Sequence, residues 1–118
     1  MTWLYPEPDL DPGEEIERKI KAELIPKSGR HTTGYLYLTS RRLVYVPARG
    51  TPRDRAFVTR VARSRCVSVD QEAGKVSIGY GGGFLKRIRI TLDDETYVTF
   101  GVRAVDDVVA GLRRALRV

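Results

Sequence analysis

Apolar and polar positions alternate along most of this chain, and only its last stretch changes period. Ile16, Ile20, Ala22 and Leu24 fall on even positions with Glu17, Lys19, Lys21 and Glu23 between them, a period of two that predicts a half-buried strand interrupted at Arg18. The spacing of four through Ile16, Ile20 and Leu24 also fits a helix, and Pro26 ends either element; the strand is the reading taken here. Lys27-Ser28-Gly29-Arg30 is turn chemistry. Residues 32–39 then alternate Gly34, Leu36 and Leu38 against Thr33, Tyr35 and Tyr37, the clearest strand in the chain. Ser40-Arg41-Arg42 connects it to Leu43-Val44-Tyr45-Val46, which stops at Pro47, so the two strands form a hairpin.

Residues 48–55 read as an exposed loop around Gly50 and Pro52. Two further β-rich runs, 57–61 and 66–69, are separated by Arg63-Ser64-Arg65, and a turn over 71–75 leads to Val76 and Ile78. A glycine-rich loop at 79–83 precedes a strand over 84–92, where Ile88, Ile90 and Leu92 alternate with Arg87 and Arg89. After the acidic turn Asp93-Asp94-Glu95, residues 96–102 supply another strand through Tyr97, Val98 and Phe100. From there Val105, Val109, Leu112 and Leu116 recur at spacings of four, three and four, which makes one apolar stripe on a helix. Asp106 and Asp107 in its first turn and Arg113, Arg114 and Arg117 near its end suit the helix dipole. The expected fold class is therefore mainly β with one α-helix: about seven antiparallel strands capped by a C-terminal amphipathic helix. An extended lead-in, 1–12, precedes a single domain, 13–118.

That order of elements is the one a pleckstrin-homology-like barrel requires. Within it, Gly34-Tyr35-Leu36-Tyr37-Leu38-Thr39-Ser40-Arg41-Arg42-Leu43-Val44-Tyr45-Val46 resembles the GRAM domain signature: a small residue, a strand ending Leu-Thr, a polar turn, Arg-Leu and a second apolar strand. Gly13-Glu14 ahead of the first strand, and the acidic turn ahead of the strand holding Tyr97 and Phe100, fit the same pattern, so the resemblance spans about residues 13–117. It implies a non-enzymatic module that binds lipid or protein.

Composition narrows the function further. The 118 residues carry 21 Lys plus Arg against 15 Asp plus Glu, with one His and one Cys. Residues 1–25 hold three basic and seven acidic side chains, residues 26–66 ten and one, and residues 67–118 eight and seven. A positive middle third suggests a surface that meets an anionic partner. The longest charge-free stretches, 31–40 and 76–85, are ten residues each, short of the ~20 apolar residues of a spanning helix. The first ten residues contain Glu7 and Asp9 and no base, unlike a secretory or mitochondrial leader, so a cytoplasmic protein is expected, at most peripheral at the membrane.

Candidate chemistry is sparse. His31 sits beside a turn, Cys66 lies in an apolar run as an inert thiol, and one His with one Cys leaves a zinc site short of ligands. The glycines at 79–83 lack the Gly-Lys-Ser/Thr of a phosphate loop and lead into a strand rather than a helix, so neither nucleotide nor any other cofactor is expected. The candidates for contact with an anion or lipid headgroup are Arg41, Arg42, Arg53, Arg55, Arg60, Lys86, Arg87 and Arg89, with Tyr80 and Phe84 as membrane-contact aromatics. A solvated face of ion-paired arginines explains the same residues without a ligand. Partners are thus a protein or an anionic lipid surface. No recognition helix or RNA-binding signature favours nucleic acid. The alternatives are a small-ligand or enzymatic role in a pocket that sequence does not display, or non-specific nucleic-acid binding through the basic residues.

Overall fold

The computed structural model describes residues 3–4, 7–28, 31–50, 59–78 and 84–118. Its strands are β1 (Trp3–Leu4), β2 (Ile16–Ile25), β3 (Thr32–Thr39), β4 (Arg42–Pro47), β5 (Arg49–Gly50), β6 (Thr59–Ala62), β7 (Cys66–Ile78), β8 (Phe84–Leu92) and β9 (Tyr97–Val102), followed by the helix α1 (Val105–Leu116). β1 and β5 pair with each other, and the other seven strands form one antiparallel sheet in the order β6-β4-β3-β2-β9-β8-β7. The fold class is the one the alternation predicts.

The order has a geometric consequence. β6 and β7 are the two edges of a seven-stranded sheet, yet only the 3-10 turn Arg63–Arg65 separates them in the chain. Seven strands laid flat would hold their edges about 29 Å apart at the usual spacing, while a link from Ala62 to Cys66 reaches only about 14 Å. The sheet must therefore roll. Among the described residues the two edges share no backbone pairing, so the roll is an open barrel with a seam at β6 and β7.

Alternation decides what the roll encloses. Leu36, Leu38, Leu43, Tyr45, Ile88, Ile90, Phe100 and Val102 share one core with Ile20, Ala22 and Leu24, and the Tyr45 and Phe100 rings pack at a tilt of 39° with centroids 5.6 Å apart. The pairing of Ala22 with Val102 through Ile25 with Thr99 joins the N-terminal strands to the C-terminal ones. Gly34 is required by close approach, because a Cβ there would lie 2.3 Å from the Val46 carbonyl oxygen and 2.8 Å from Pro47 Cα.

Two details depart from the sequence reading. The break at Arg18 is a β-bulge: register shifts between Ile16 and Arg18, leaving Ile16 40% exposed while Arg18 reaches Asp107 of α1 at 3.1 Å. The turn expected over 71–75 is instead part of the continuous strand β7, whose register with β8 shifts between Gln71 and Val76. Polar, glycine-containing sequence mimics a turn when a bulge absorbs it. The predicted strand 57–61 appears as β6, and residues 57 and 58 lie outside the described part.

The helix closes the roll against β7 and β8. Val105, Val108, Val109 and Leu112 are buried, and Leu116 is partly so. Arg113 fixes the helix to β7 by donating from Nε to the Val69 carbonyl at 2.7 Å and from Nη2 to Asp70 at 3.0 Å. Leu112 is fully enclosed, so Leu112→Ala is expected to cost about 2 to 5 kcal/mol in urea denaturation. A loss below about 0.5 kcal/mol, the range of surface changes, would place the helix outside the core.

Candidate anion-binding site

Ile88 and Ile90 point into the core, so Arg87 and Arg89, one step out of phase with them on β8, project from the outer face of the sheet. Cross-strand register sets Arg89 opposite Thr99, and Thr99 opposite Ile25 at the end of β2, with Lys27 two residues further on. Tyr97, two residues from Thr99 on β9, completes the group. Lys27 Nζ lies 4.7 Å and Arg89 Cζ 4.1 Å from the centroid of the Tyr97 ring, so one aromatic holds two cations.

These side chains line an open pocket of about 460 Å³ together with Thr59 and Glu72. Glu72 is the one acid among its described lining residues and lies 3.7 Å from Arg89 Nη2, too far for a good hydrogen bond. Among the described residues three cations thus face a single carboxylate. Arg87 Nε is buried without a hydrogen-bond acceptor among the described residues. Buried donors are ordinarily satisfied, and this unsatisfied one belongs to an arginine that lines the pocket. A second pocket of about 180 Å³, lined by Ala22, Leu85 and Gly101 with Lys21, Glu23 and Arg103, is more apolar and of mixed charge. It offers less for an anion.

The other basic candidates fare differently. Arg42 makes a bidentate pair with Glu14, donating from Nε to Oε2 and from Nη2 to Oε1, both at 2.8 Å. The Glu14 side chain is fully enclosed, and it also accepts from the Thr39 hydroxyl at 2.5 Å and the Asp11 amide at 2.9 Å. Arg41 donates to the Pro12 carbonyl and lies 3.8 Å from Asp11. Arg60 is exposed on the edge strand β6. Lys86 does not join Arg87, because neighbours on a strand face opposite ways; it lines a separate pocket beside Val105, Asp106 and Asp107. Arg53, Arg55, Tyr80 and the side chain of Phe84 lie outside the described residues.

Lys27, Glu72 and Tyr97 are the site residues that the sequence reading missed. Lys27 reads as turn chemistry and Tyr97 as strand, and only cross-strand register brings them to Arg89. Of the possible reactive groups, Cys66 is buried and its thiol is pushed up, first by burial. His31 Nδ1 lies 2.6 Å from Glu23 Oε1 at the β2–β3 connection. No cluster of three or more His, Cys, Asp or Glu able to hold a metal occurs among the described residues.

No family model matches the chain, and none of the curated proteins matches it significantly. In three dimensions it is similar to the crystal structure of the C-terminal domain of an unknown protein from Leishmania infantum, with a TM-score of 0.67 and 13% identity over 91% of this chain and 88% of that one. At that identity the likeness concerns the fold alone.

The environment of Glu14 sets a pH dependence. Its bonds to Arg42, then to Thr39 and the Asp11 amide, hold the carboxyl at about 2, below its ordinary 4.5. The folded state therefore binds this proton more weakly than the unfolded state does. Its contribution to stability is complete above about pH 4.5 and is lost as pH falls towards 2. In urea denaturation, Glu14→Gln is expected to be clearly less stable than the parent at pH 7, with the gap closing between pH 4.5 and 2. A gap independent of pH would mean that Glu14 is not held as this carboxylate.

Proposed function

We propose that this protein is a non-enzymatic binding module that captures a phosphate-bearing anion between Lys27, Arg87 and Arg89, with an anionic membrane surface as the source of the phosphate. The observation that carries this reading is the imbalance among the described lining residues of the pocket: Lys27, Arg87 and Arg89 against Glu72, with the buried Nε of Arg87 unsatisfied among the described residues. Guanidinium groups match phosphate oxygens through paired donors, and a Lys beside them adds a mobile charge. One further feature supports the membrane as the source: the hairpin at residues 34–46 resembles the GRAM signature, whose family binds lipid or protein. Binding at the surface is the attachment proposed.

The test is sedimentation with vesicles of phosphatidylcholine containing a phosphorylated phosphatidylinositol, compared with phosphatidylcholine alone. The parent is expected to bind only the anionic vesicles and to be released by salt. Each cation at such a surface contributes about 1 kcal/mol, so Lys27→Gln, Arg87→Gln and Arg89→Gln together should weaken binding by about two orders of magnitude. Binding of free inositol phosphate without binding of the vesicles would make the ligand a soluble phosphate. Unchanged vesicle binding by the triple variant would remove the pocket from the function, and a parent that binds neither probe would leave a protein partner as the module's ligand.

A further inference from the structure

The outer face of the β3–β4 hairpin carries a second apolar group. Tyr37, Val44 and Val46 alternate with the core residues Leu36, Leu43 and Tyr45, so they point away from the main core, yet they are only 2, 1 and 7% exposed. Something covers them, and the contacts of the lead-in show what does. At one end, Leu4 pairs with Arg49 just beyond β4. At the other, Arg42 Nη2 donates to the Asp9 carbonyl, Arg41 Nη2 donates to the Pro12 carbonyl at 3.1 Å, and the Ser40 amide donates to the Glu15 carbonyl at 2.9 Å. The described parts of the lead-in thus lie beside both ends of β4, in the antiparallel sense. Pro8 within it is buried. Burial raises the Tyr37 phenol above its ordinary value, and the nearby Glu7 carboxylate adds to the rise.

The chemistry of this seat is general rather than particular to one sequence. Residues 7–15 contain Glu7, Asp9, Asp11, Glu14 and Glu15 and no base. The hairpin meets them with Arg41 and Arg42, and the neighbouring strand β2 adds Lys19, whose Nζ lies 4.3 Å from the Tyr35 ring and 5.8 Å from that of Tyr37. Apart from the Glu14 carboxylate, the guanidinium bonds go to main-chain carbonyls, which every peptide has. Proline suits the extended path because it asks for no main-chain donor partner.

We infer that the Tyr37–Val44–Val46 face, rimmed by Lys19, Arg41 and Arg42, is a docking surface for an acidic extended peptide of another protein, and that the lead-in is its tethered occupant. A tethered segment acts at a local concentration of about millimolar, so an external peptide competes poorly until the tether is loosened.

The probe is a fluorescently labelled peptide of residues 7–15, followed by anisotropy on the full chain. Asp9→Lys with Asp11→Lys places like charges beside Arg41 and Arg42 at two exposed positions. The doubly substituted protein is expected to bind the peptide at least about tenfold more tightly than the parent, with affinity falling as salt rises. The same peptide with its acids changed to amides should not bind. Equal binding by parent and variant, or self-association of the variant in place of peptide binding, would overturn the inference. Amide exchange on the unaltered chain tests it without any substitution. The Asp11 and Glu14 amides should exchange well ahead of those of Leu36 and Leu38, because the lead-in opens while the sheet stays closed. Equal rates would make the lead-in an integral part of the sheet's fold and would also overturn it.

Discussion

The short link between β6 and β7 constrains everything else in this molecule. With only Arg63–Arg65 between the two edges of a seven-stranded sheet, the sheet cannot lie flat, and its inner face becomes the core. Arg63 holds the corner together: its guanidinium donates to Glu17 at 3.0 Å, to the Thr39 carbonyl at 2.9 Å and to the Ala115 carbonyl of α1. One side chain thereby joins β2, β3 and the helix at the place where the roll is tightest. Cys66 follows immediately and is already buried, as the first inward residue of β7 must be.

Rolling also sorts the basic residues into two kinds. Arg42, Arg63 and Arg113 face carbonyls and carboxylates of neighbouring elements and serve as clamps. Arg65 lies 3.1 Å from Asp93 and 3.0 Å from Asp94 at the surface, where such pairs contribute little. Lys27, Arg87 and Arg89 line one pocket on the outer face, Lys27 and Arg89 over the Tyr97 ring, with Glu72 as the one acid among its described lining residues. Net charge counts all of these alike, although among them the outer-face group of Lys27, Arg87 and Arg89 is open to an external anion while the lead-in stays seated on Arg42. The enclosed pair of Glu14 and Arg42 belongs to the first kind, and removing either partner would strand a buried charge.

The strands and the helix were legible because their periods are clean. The helical stripe from Val105 to Leu116 matches α1 from end to end, and the hairpin of Thr32–Thr39 with Arg42–Pro47 follows from alternation closed by Pro47. The bulge inside β7 was not legible, since Gln71 and its neighbours carry the same residues as a turn. Part of the candidate site was visible, because Arg87 and Arg89 share a face as residues two apart on any strand do. Lys27 and Tyr97 were hidden, because their meeting depends on the long-range pairing of β2 with β9 and β9 with β8. Conversely, Arg41 and Arg42 read as free cations until the acidic lead-in folds back onto them. Sequence displays a charge, and only tertiary structure displays its partner.

The central claim is that the cations divide into internal clamps and an open anion site, and arginine side-chain NMR observes this directly. In a spectrum of the guanidinium Nε–Hε groups, those of Arg42 and Arg113, bonded to Glu14 and to the Val69 carbonyl, should exchange with water at least about tenfold more slowly than that of the exposed Arg60. On titration with inorganic phosphate, the signals of Arg87 and Arg89 should move while those of Arg42 and Arg113 stay in place. Equal displacement of all four, or no displacement of Arg87 and Arg89, would contradict the account.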